Sequence, residues 1–173
     1  MGTWVMLLRG INLGPRHKVP MAELRALCAD LGLTDVRTYI ASGNVICSSS
    51  QRSATAVGAT MERGLRSRFG FDVPVIVRTP QQLQGVVDDL PFLDTEQVHV
   101  SFLPAPLPAP VEAEVRTGLL NGAELVVSGA HAYLRTPAGL GQPWLRAPQA
   151  KALSDGTVRT WRTVTALLDL ATP

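Results

Sequence analysis

The apolar run TWVMLL at residues 3–8 constrains the fold of this chain more than any other short segment. Every position after Thr3 is apolar, so the run lacks the alternation expected of a strand with one face in water. Such a run is typical of a central strand that is covered on both faces. The chain therefore has to place packed layers on both sides of its first strand.

The patterns that follow this strand predict the order β-α-β-β-α-β over residues 1–78. Pro20 suits the first turn of a helix, and the triplet SGN at residues 42–44 suits a tight turn between two strands. A second helix is predicted across residues 55–69 and a buried strand across residues 73–77. This order is that of the ferredoxin-like fold, in which two helices lie on one face of an antiparallel sheet.

The second half of the chain repeats much of this pattern, so we divide the chain into halves at residues 1–78 and 79–173. A connecting helix, a strand, a helix, a hairpin and a final helix are predicted, in this order, at residues 83–90, 98–103, 111–119, 124–135 and 161–168. The core order is again β-α-β-β-α, and both hairpins carry a Ser-Gly step. We therefore expect an α+β fold of two tandem ferredoxin-like halves, related by duplication and joined in one compact unit.

The charge of the chain is unevenly distributed. The formal net charge of +2 argues against a dedicated nucleic-acid coat protein. Residues 1–78 carry ten Lys and Arg against five Asp and Glu, whereas residues 79–134 carry one against seven. Such asymmetry occurs at anion-binding faces and also as ordinary scatter of solvated charges, and both interpretations stay open.

The two cysteines, Cys28 and Cys47, fall at predicted core positions. A chain of this length needs no disulfide framework, so we interpret both as reduced core residues. The N-terminus lacks the features of a signal peptide, and no apolar run is as long as a membrane span. We therefore expect a cytoplasmic protein with no membrane partner.

The best candidate for a functional site is the glycine-containing, basic loop within LLRGINLGPRHKVP, residues 7–20. In a ferredoxin-like sheet, the end of the first strand and the turn between the second and third strands lie at the same edge. A helix N-terminus beside cationic side chains suits an anion, and glycines let the backbone approach a ligand. We expect the ligand-binding residues to be Arg9, Gly10, Asn12, Gly14, Lys18, Ser42 and Asn44. The alternative is that the glycines only shape a long loop whose cations face water.

Two further arginines, Arg159 and Arg162, flank the predicted start of the last helix, for which Thr160 is a suitable N-cap. The helix dipole disfavours cations there, by about 0.3–1 kcal/mol. A bound anion, a nearby carboxylate or solvent screening would each remove this conflict. Both arginines are therefore added to the candidate ligand-binding set.

Motifs for the commonest cofactors and metals are missing from the sequence. There is no P-loop, no dinucleotide fingerprint, no nucleophile elbow and no two-histidine zinc helix, and the three histidines have no ligand spacing. We expect no cofactor and no metal. No nucleophile–base pair stands out, so the sequence leaves open whether the protein is an enzyme.

Several blocks of the chain resemble a bacterial family catalogued as domain of unknown function 1697. They are LLRGINLG, KVPMAELRAL, SGNVIC, FGFDVPVIVRT, VSFL and WRTVTALLDLA, and together they span almost the whole chain. The resemblance implies a compact cytoplasmic α+β protein of two similar halves, and it implies no reaction. The chain departs from the family pattern at Pro15, at QPWL (residues 142–145, with Gln142, Pro143 and Trp144) and at Arg162. These departures put in doubt any site that relatives form with the late loop.

Three functions remain open from the sequence. The first, which we favour, is a protein that binds, or binds and turns over, a small anionic or phosphorylated ligand at the loop after the first strand. The second is a module for single-stranded nucleic acid, although aromatic residues make up only 5% of the chain. The third is a protein-interaction or assembly module, in which a second copy covers an apolar sheet face.

Overall fold

The computed structural model of the protein describes residues 1–172. This part of the chain contains eight strands and six helices. In chain order they are β1 (Gly2–Leu8), α1 (Met21–Asp30), β2 (Thr34–Tyr39), β3 (Asn44–Ser49), α2 (Ala54–Phe69), β4 (Val75–Arg78), α3 (Pro80–Asp88), β5 (Val98–Phe102), α4 (Ala109–Thr117), β6 (Glu124–Ser128), β7 (His131–Arg135), α5 (Ala147–Ala152), β8 (Thr157–Thr160) and α6 (Trp161–Ala171).

These elements form a mixed α+β fold with two four-stranded antiparallel sheets, which confirms the predicted α+β class. The strand order is β2-β3-β1-β4 in the first sheet and β6-β7-β5-β8 in the second. The chain divides into two compact units. The first is Met1–Val87 together with the C-terminal segment that begins at Thr165, and the second is Asp88–Val164.

Strand β1 is an interior strand of the first sheet and pairs with both β3 and β4. Trp4, Met6 and Leu8 belong to the apolar core that α1 and α2 complete. Val5 and Leu7 point to the opposite face of the sheet, and both are fully buried. Both faces of this strand are covered, which accounts for the continuous apolar run in the sequence.

Helices α1 and α2 approach each other closely in the first unit. A Cβ atom on Gly64 would lie 2.9 Å from Leu31 Cδ1 and 3.1 Å from Leu27 Cδ1, which is closer than side-chain atoms normally pack. Glycine at this position of α2 therefore lets the leucines of α1 fill the space between the helices.

The second unit contains a strand that was not predicted from the sequence. The segment TVRT, residues 157–160, precedes the last helix and forms the edge strand β8, paired with β5. Its side chains alternate between buried and exposed positions, as in a strand with one covered face. Helix α6 begins only at Trp161, and Thr160 Oγ1 accepts the Thr163 N–H at 3.2 Å, as an N-cap does.

The core of the second unit lies under β5, β6 and β7 and includes Val115, Leu125 and Leu134. The six-residue helix α5 was not predicted from the sequence, because it is too short to show helical periodicity. Among the helices of residues 1–172, none has the length and apolar character needed to cross a membrane.

Candidate functional site

Asn12 fastens the base of the first loop, which we define as residues 9–20, between β1 and α1. Its Nδ2 donates to the carbonyl oxygens of Val19 (3.0 Å) and Ala41 (2.9 Å). Its Oδ1 accepts the Val19 N–H at 2.9 Å. The backbone is left-handed here, with φ +57°, a conformation that asparagine adopts more readily than most residues. Because its amide binds the chain on both sides, Asn12 holds the loop in place.

The same loop closes on itself further out. The Asn12 N–H donates to the His17 carbonyl oxygen at 3.0 Å, so residues 13–16 project as a short loop tip. The His17 ring stacks on Phe71, with ring centroids 4.6 Å apart and an interplanar angle of 29°. Phe71 lies between α2 and β4, so this contact fixes one side of the loop to another part of the first unit.

The turn between β2 and β3, which we call the hairpin turn (residues 40–43), lies directly beside the first loop. The Leu8 N–H donates to the Gly43 carbonyl oxygen at 2.8 Å. Gly43 is buried with φ +82°, and a Cβ atom there would lie 2.7 Å from Leu8 Cβ and 3.0 Å from Ile11 Cδ1. Glycine is therefore required for the turn to approach the end of β1 this closely.

Asn44 and Ser42 stabilise this turn. Asn44 is fully buried, and its Nδ2 donates to the Tyr39 carbonyl oxygen (3.0 Å) and to Ser42 Oγ (2.9 Å). Ser42 is half-buried. The structure thus brings Asn12, Ser42 and Asn44 into one region, where they order the backbone around the loop.

The cationic groups of this region differ in their surroundings. Arg9 is half-buried, and its backbone N–H donates to the Pro74 carbonyl oxygen at 3.0 Å. Arg16 and Lys18 are exposed, and neither forms an ion pair with a carboxylate among residues 1–172. Arg16 was not in the predicted set, although its charge and its place in the same loop were visible in the sequence.

Gly10 and Gly14 leave the backbone of the first loop accessible. Both are exposed, with φ +73° and +89°, and a Cβ atom on either would meet no atom within 4 Å. Pro20 precedes α1 without a side-chain hydrogen bond to cap the helix. Charged side chains, open backbone and an uncapped helix start therefore occur together in the first loop.

A groove of about 480 Å³ between α1 and α2 is a competing location for a site. Its floor includes Leu27, and Arg68 lies at its rim. Arg68 is held by two carboxylates, those of Glu23 at 3.5 Å and of Asp30. The charge of Arg68 is therefore compensated within the protein, whereas Arg63, which also lines the groove, donates among residues 1–172 only to Thr60 Oγ1, at 3.2 Å.

Arg159 and Arg162 lie in the residue range of the second unit. Arg159 is buried in β8, where its Nη1 donates to Thr157 Oγ1 (2.6 Å) and to the Val158 carbonyl oxygen (2.9 Å). Burial lowers the pKa of Arg159 to about 10. As predicted, Arg159 and Arg162 flank the start of α6, and the segment that carries Arg159 is a strand paired with β5. Arg162 is exposed in the first turn of α6.

The remaining chemically active side chains are buried in the cores. Cys28 and Cys47 are free thiols. Burial raises the pKa of Cys28 to about 11. Burial also raises the pKa of Cys47 to about 12, with a smaller contribution from the neighbouring Cys28. Burial also lowers the pKa of His99, whose Nδ1 lies 3.1 Å from the Gln97 carbonyl oxygen. Within residues 1–172, no three His, Cys, Asp or Glu side chains are grouped so that they could hold a metal ion.

Comparison with known proteins identifies a family and a similar fold. A family model described as "Protein of unknown function (DUF1697)" matches residues 1–133. No curated protein matches the chain. Among solved structures, the chain is similar to the conserved bacterial protein SP0830 from Streptococcus pneumoniae, with a TM-score of 0.76, 22% sequence identity and 98% of each chain covered. This similarity extends across both sheets and shows the fold alone.

Proposed function

The chain belongs to the DUF1697 family of proteins of unknown function, and from this premise we propose that it binds a small anionic ligand, such as one bearing phosphate, at the first loop. The observation that carries the proposal is the pair Arg16 and Lys18, which project from a firmly anchored loop without a carboxylate partner among residues 1–172. Cations held in place in this way bind an anion without the cost of ordering a flexible loop.

The groups around the loop have distinct roles in this proposal. Lys18 and Arg16 supply charge, and Arg9 supplies a guanidinium at the end of β1, which suits the geometry of phosphate or carboxylate oxygens. Gly10 and Gly14 let the ligand reach backbone N–H groups. Asn12 positions the loop through its bonds to the backbone.

Single-stranded nucleic acid is a less suitable ligand. Modules of this type that are built on a ferredoxin-like sheet read bases with aromatic side chains on an open sheet face. In the first sheet Val5, Leu7 and Ile46 are buried on the face opposite α1 and α2. A strand of nucleic acid therefore has no open surface on the face where such modules bind it.

The test is titration calorimetry of the full chain with inorganic phosphate at low salt. We expect saturable binding, and we expect Lys18→Ala and Arg9→Ala each to weaken it by about 10-fold to 100-fold, since a hydrogen bond to a charged group contributes about 1.5–3 kcal/mol. Lys151→Ala, which removes an exposed lysine of α5 in the second unit, is the matched control and should bind as the unmodified protein does.

Two results would overturn the proposal. One is an absence of phosphate binding at low salt, and the other is equal loss of binding in the Lys18→Ala and Lys151→Ala variants. Native mass spectrometry of the freshly purified protein separates the alternatives further, because a retained small anion supports the proposal and a retained oligonucleotide supports the nucleic-acid module.

We further propose that the two units are tandem ferredoxin-like halves that arose by duplication. The strand order is equivalent in both sheets, and the tripeptide Val-Arg-Thr occurs at the end of each fourth strand, at residues 77–79 and 158–160. The register also corresponds, since Val5 of β1 pairs with Arg78 and Val100 of β5 pairs with Arg159.

A cytoplasmic location is proposed as well, supported by two cysteines that are free and buried.

A further inference from the structure

Two large apolar side chains are exposed beside the cations of the first loop. Leu13, in the loop tip, is 79% exposed, and Ile40, in the hairpin turn, is 54% exposed. The chain segments that carry them adjoin, because Leu13 follows Asn12, Ile40 precedes Ala41, and Asn12 Nδ2 donates to the Ala41 carbonyl oxygen at 2.9 Å. Two exposed apolar side chains and two exposed cations are therefore carried by adjoining segments, which we call the amphipathic tip (Leu13, Arg16, Lys18 and Ile40).

The exposure of these side chains is set by an ordered backbone. The bond from Asn12 N–H to the His17 carbonyl and the stacking of His17 on Phe71 both anchor the segment that carries Leu13. Ile40 has φ +48°, a left-handed conformation that is rare for a β-branched residue and is normally filled by glycine or asparagine. A branched apolar side chain is therefore held toward solvent at a position where the backbone disfavours it.

We infer that the ligand of the first loop carries an apolar chain beside its anionic group, as in an alkyl or acyl phosphate. This inference rests on the proposed anion site and names the class of ligand for that site. The cations account for the anionic group, whereas a purely polar anion would leave Leu13 and Ile40 without a contact. An aliphatic chain laid across these two side chains removes apolar surface from water on both partners, which favours binding.

The experiment measures the affinity of the full chain for inorganic phosphate and for butyl, hexyl and octyl phosphate, each below the concentration at which it forms micelles. We expect affinity to rise with chain length, by about tenfold between inorganic phosphate and octyl phosphate, which is the gain from removing about two CH₂ groups from water on an open surface. Leu13→Ser and Ile40→Asn should remove most of this gain and leave the affinity for inorganic phosphate unchanged. Asparagine is chosen at position 40 because it tolerates the left-handed backbone.

Leu93→Ser is the matched control. Leu93 is another exposed leucine, but it lies in the residue range of the second unit and is followed by the acidic Asp94 and Glu96. This variant should keep the full dependence on chain length, because its leucine has acidic rather than basic neighbours. An equal loss in the Leu93 and Leu13 variants would overturn the inference.

The outcomes separate this inference from the proposal on which it rests. If inorganic phosphate binds and affinity does not rise with chain length, the anion site stands and the amphiphilic ligand is rejected. If no phosphate compound binds, both fail. Vesicles with and without an anionic phospholipid show whether the ligand is a membrane lipid or a free amphiphile. Binding to anionic vesicles without binding to monomeric alkyl phosphate would also overturn the inference.

Discussion

Replacing Asn12 by glycine should lower the free energy of unfolding by more than the same substitution at an asparagine whose side chain makes one hydrogen bond. Its side chain makes three hydrogen bonds, two with Val19 and one with Ala41. Asn121 provides an internal standard, because it has nearly the same left-handed backbone, φ +53° against +57°, but makes a single bond, from Nδ2 to the Pro143 carbonyl oxygen at 2.7 Å. Asn→Gly at either position causes a similar backbone effect, so the two extra bonds of Asn12 account for the difference.

Each of these bonds contributes about 0.5–1.5 kcal/mol net to stability. Asn12→Gly should therefore lower the free energy of unfolding by about 1–3 kcal/mol more than Asn121→Gly does. Urea unfolding followed by far-UV circular dichroism measures this difference. Amide hydrogen exchange supplies a local readout, because the Val19 N–H donates to Asn12 Oδ1 and should lose protection in the Asn12→Gly variant.

The reasoning would be refuted by equal unfolding midpoints in the two variants together with retained protection of the Val19 amide. That result would mean that the loop keeps its conformation without the Asn12 amide. Phosphate binding should weaken in Asn12→Gly along with Val19 protection, since the Asn12 amide positions the loop.

The remaining predictions concern the hairpin turn and the buried thiols. Gly43→Ala should lower the temperature of thermal unfolding by more than Gly70→Ala, because the new Cβ at position 43 lies 2.7 Å from Leu8 Cβ. Gly70 is the control, since it has a similar φ, +79°, and open space around it. Equal effects of the two substitutions would contradict the close approach. Cys28 and Cys47 should resist a thiol reagent near pH 8 and react only on unfolding, since burial raises the pKa of both thiols. Stability should also fall as pH rises above about 9, because the unfolded thiols then ionise while the native thiols keep their protons, and Cys47→Ala should reduce that slope.

The sequence by itself determined much of the fold, because local patterns identify elements whose burial follows a regular period. The unbroken apolar run of β1 indicated a strand covered on both faces, and the spacing of apolar residues in α2 indicated a helix. The α+β class and the family were both established correctly from such patterns and blocks. The anionic ligand stays a prediction, since sequence patterns do not show a contact between the first loop and a ligand.

Tertiary structure alone decided the identity of β8 and the role of Asn12. Residues 157–160 form a strand because they pair with β5, far away along the chain, and a four-residue segment has too few positions to reveal its period. The Asn12 amide is positioned by the carbonyl oxygen of Ala41, which comes within reach only when β3 lies between β1 and β2. Sequence patterns record which residues prefer burial, whereas hydrogen bonds between distant segments exist only after the sheet has brought those segments together.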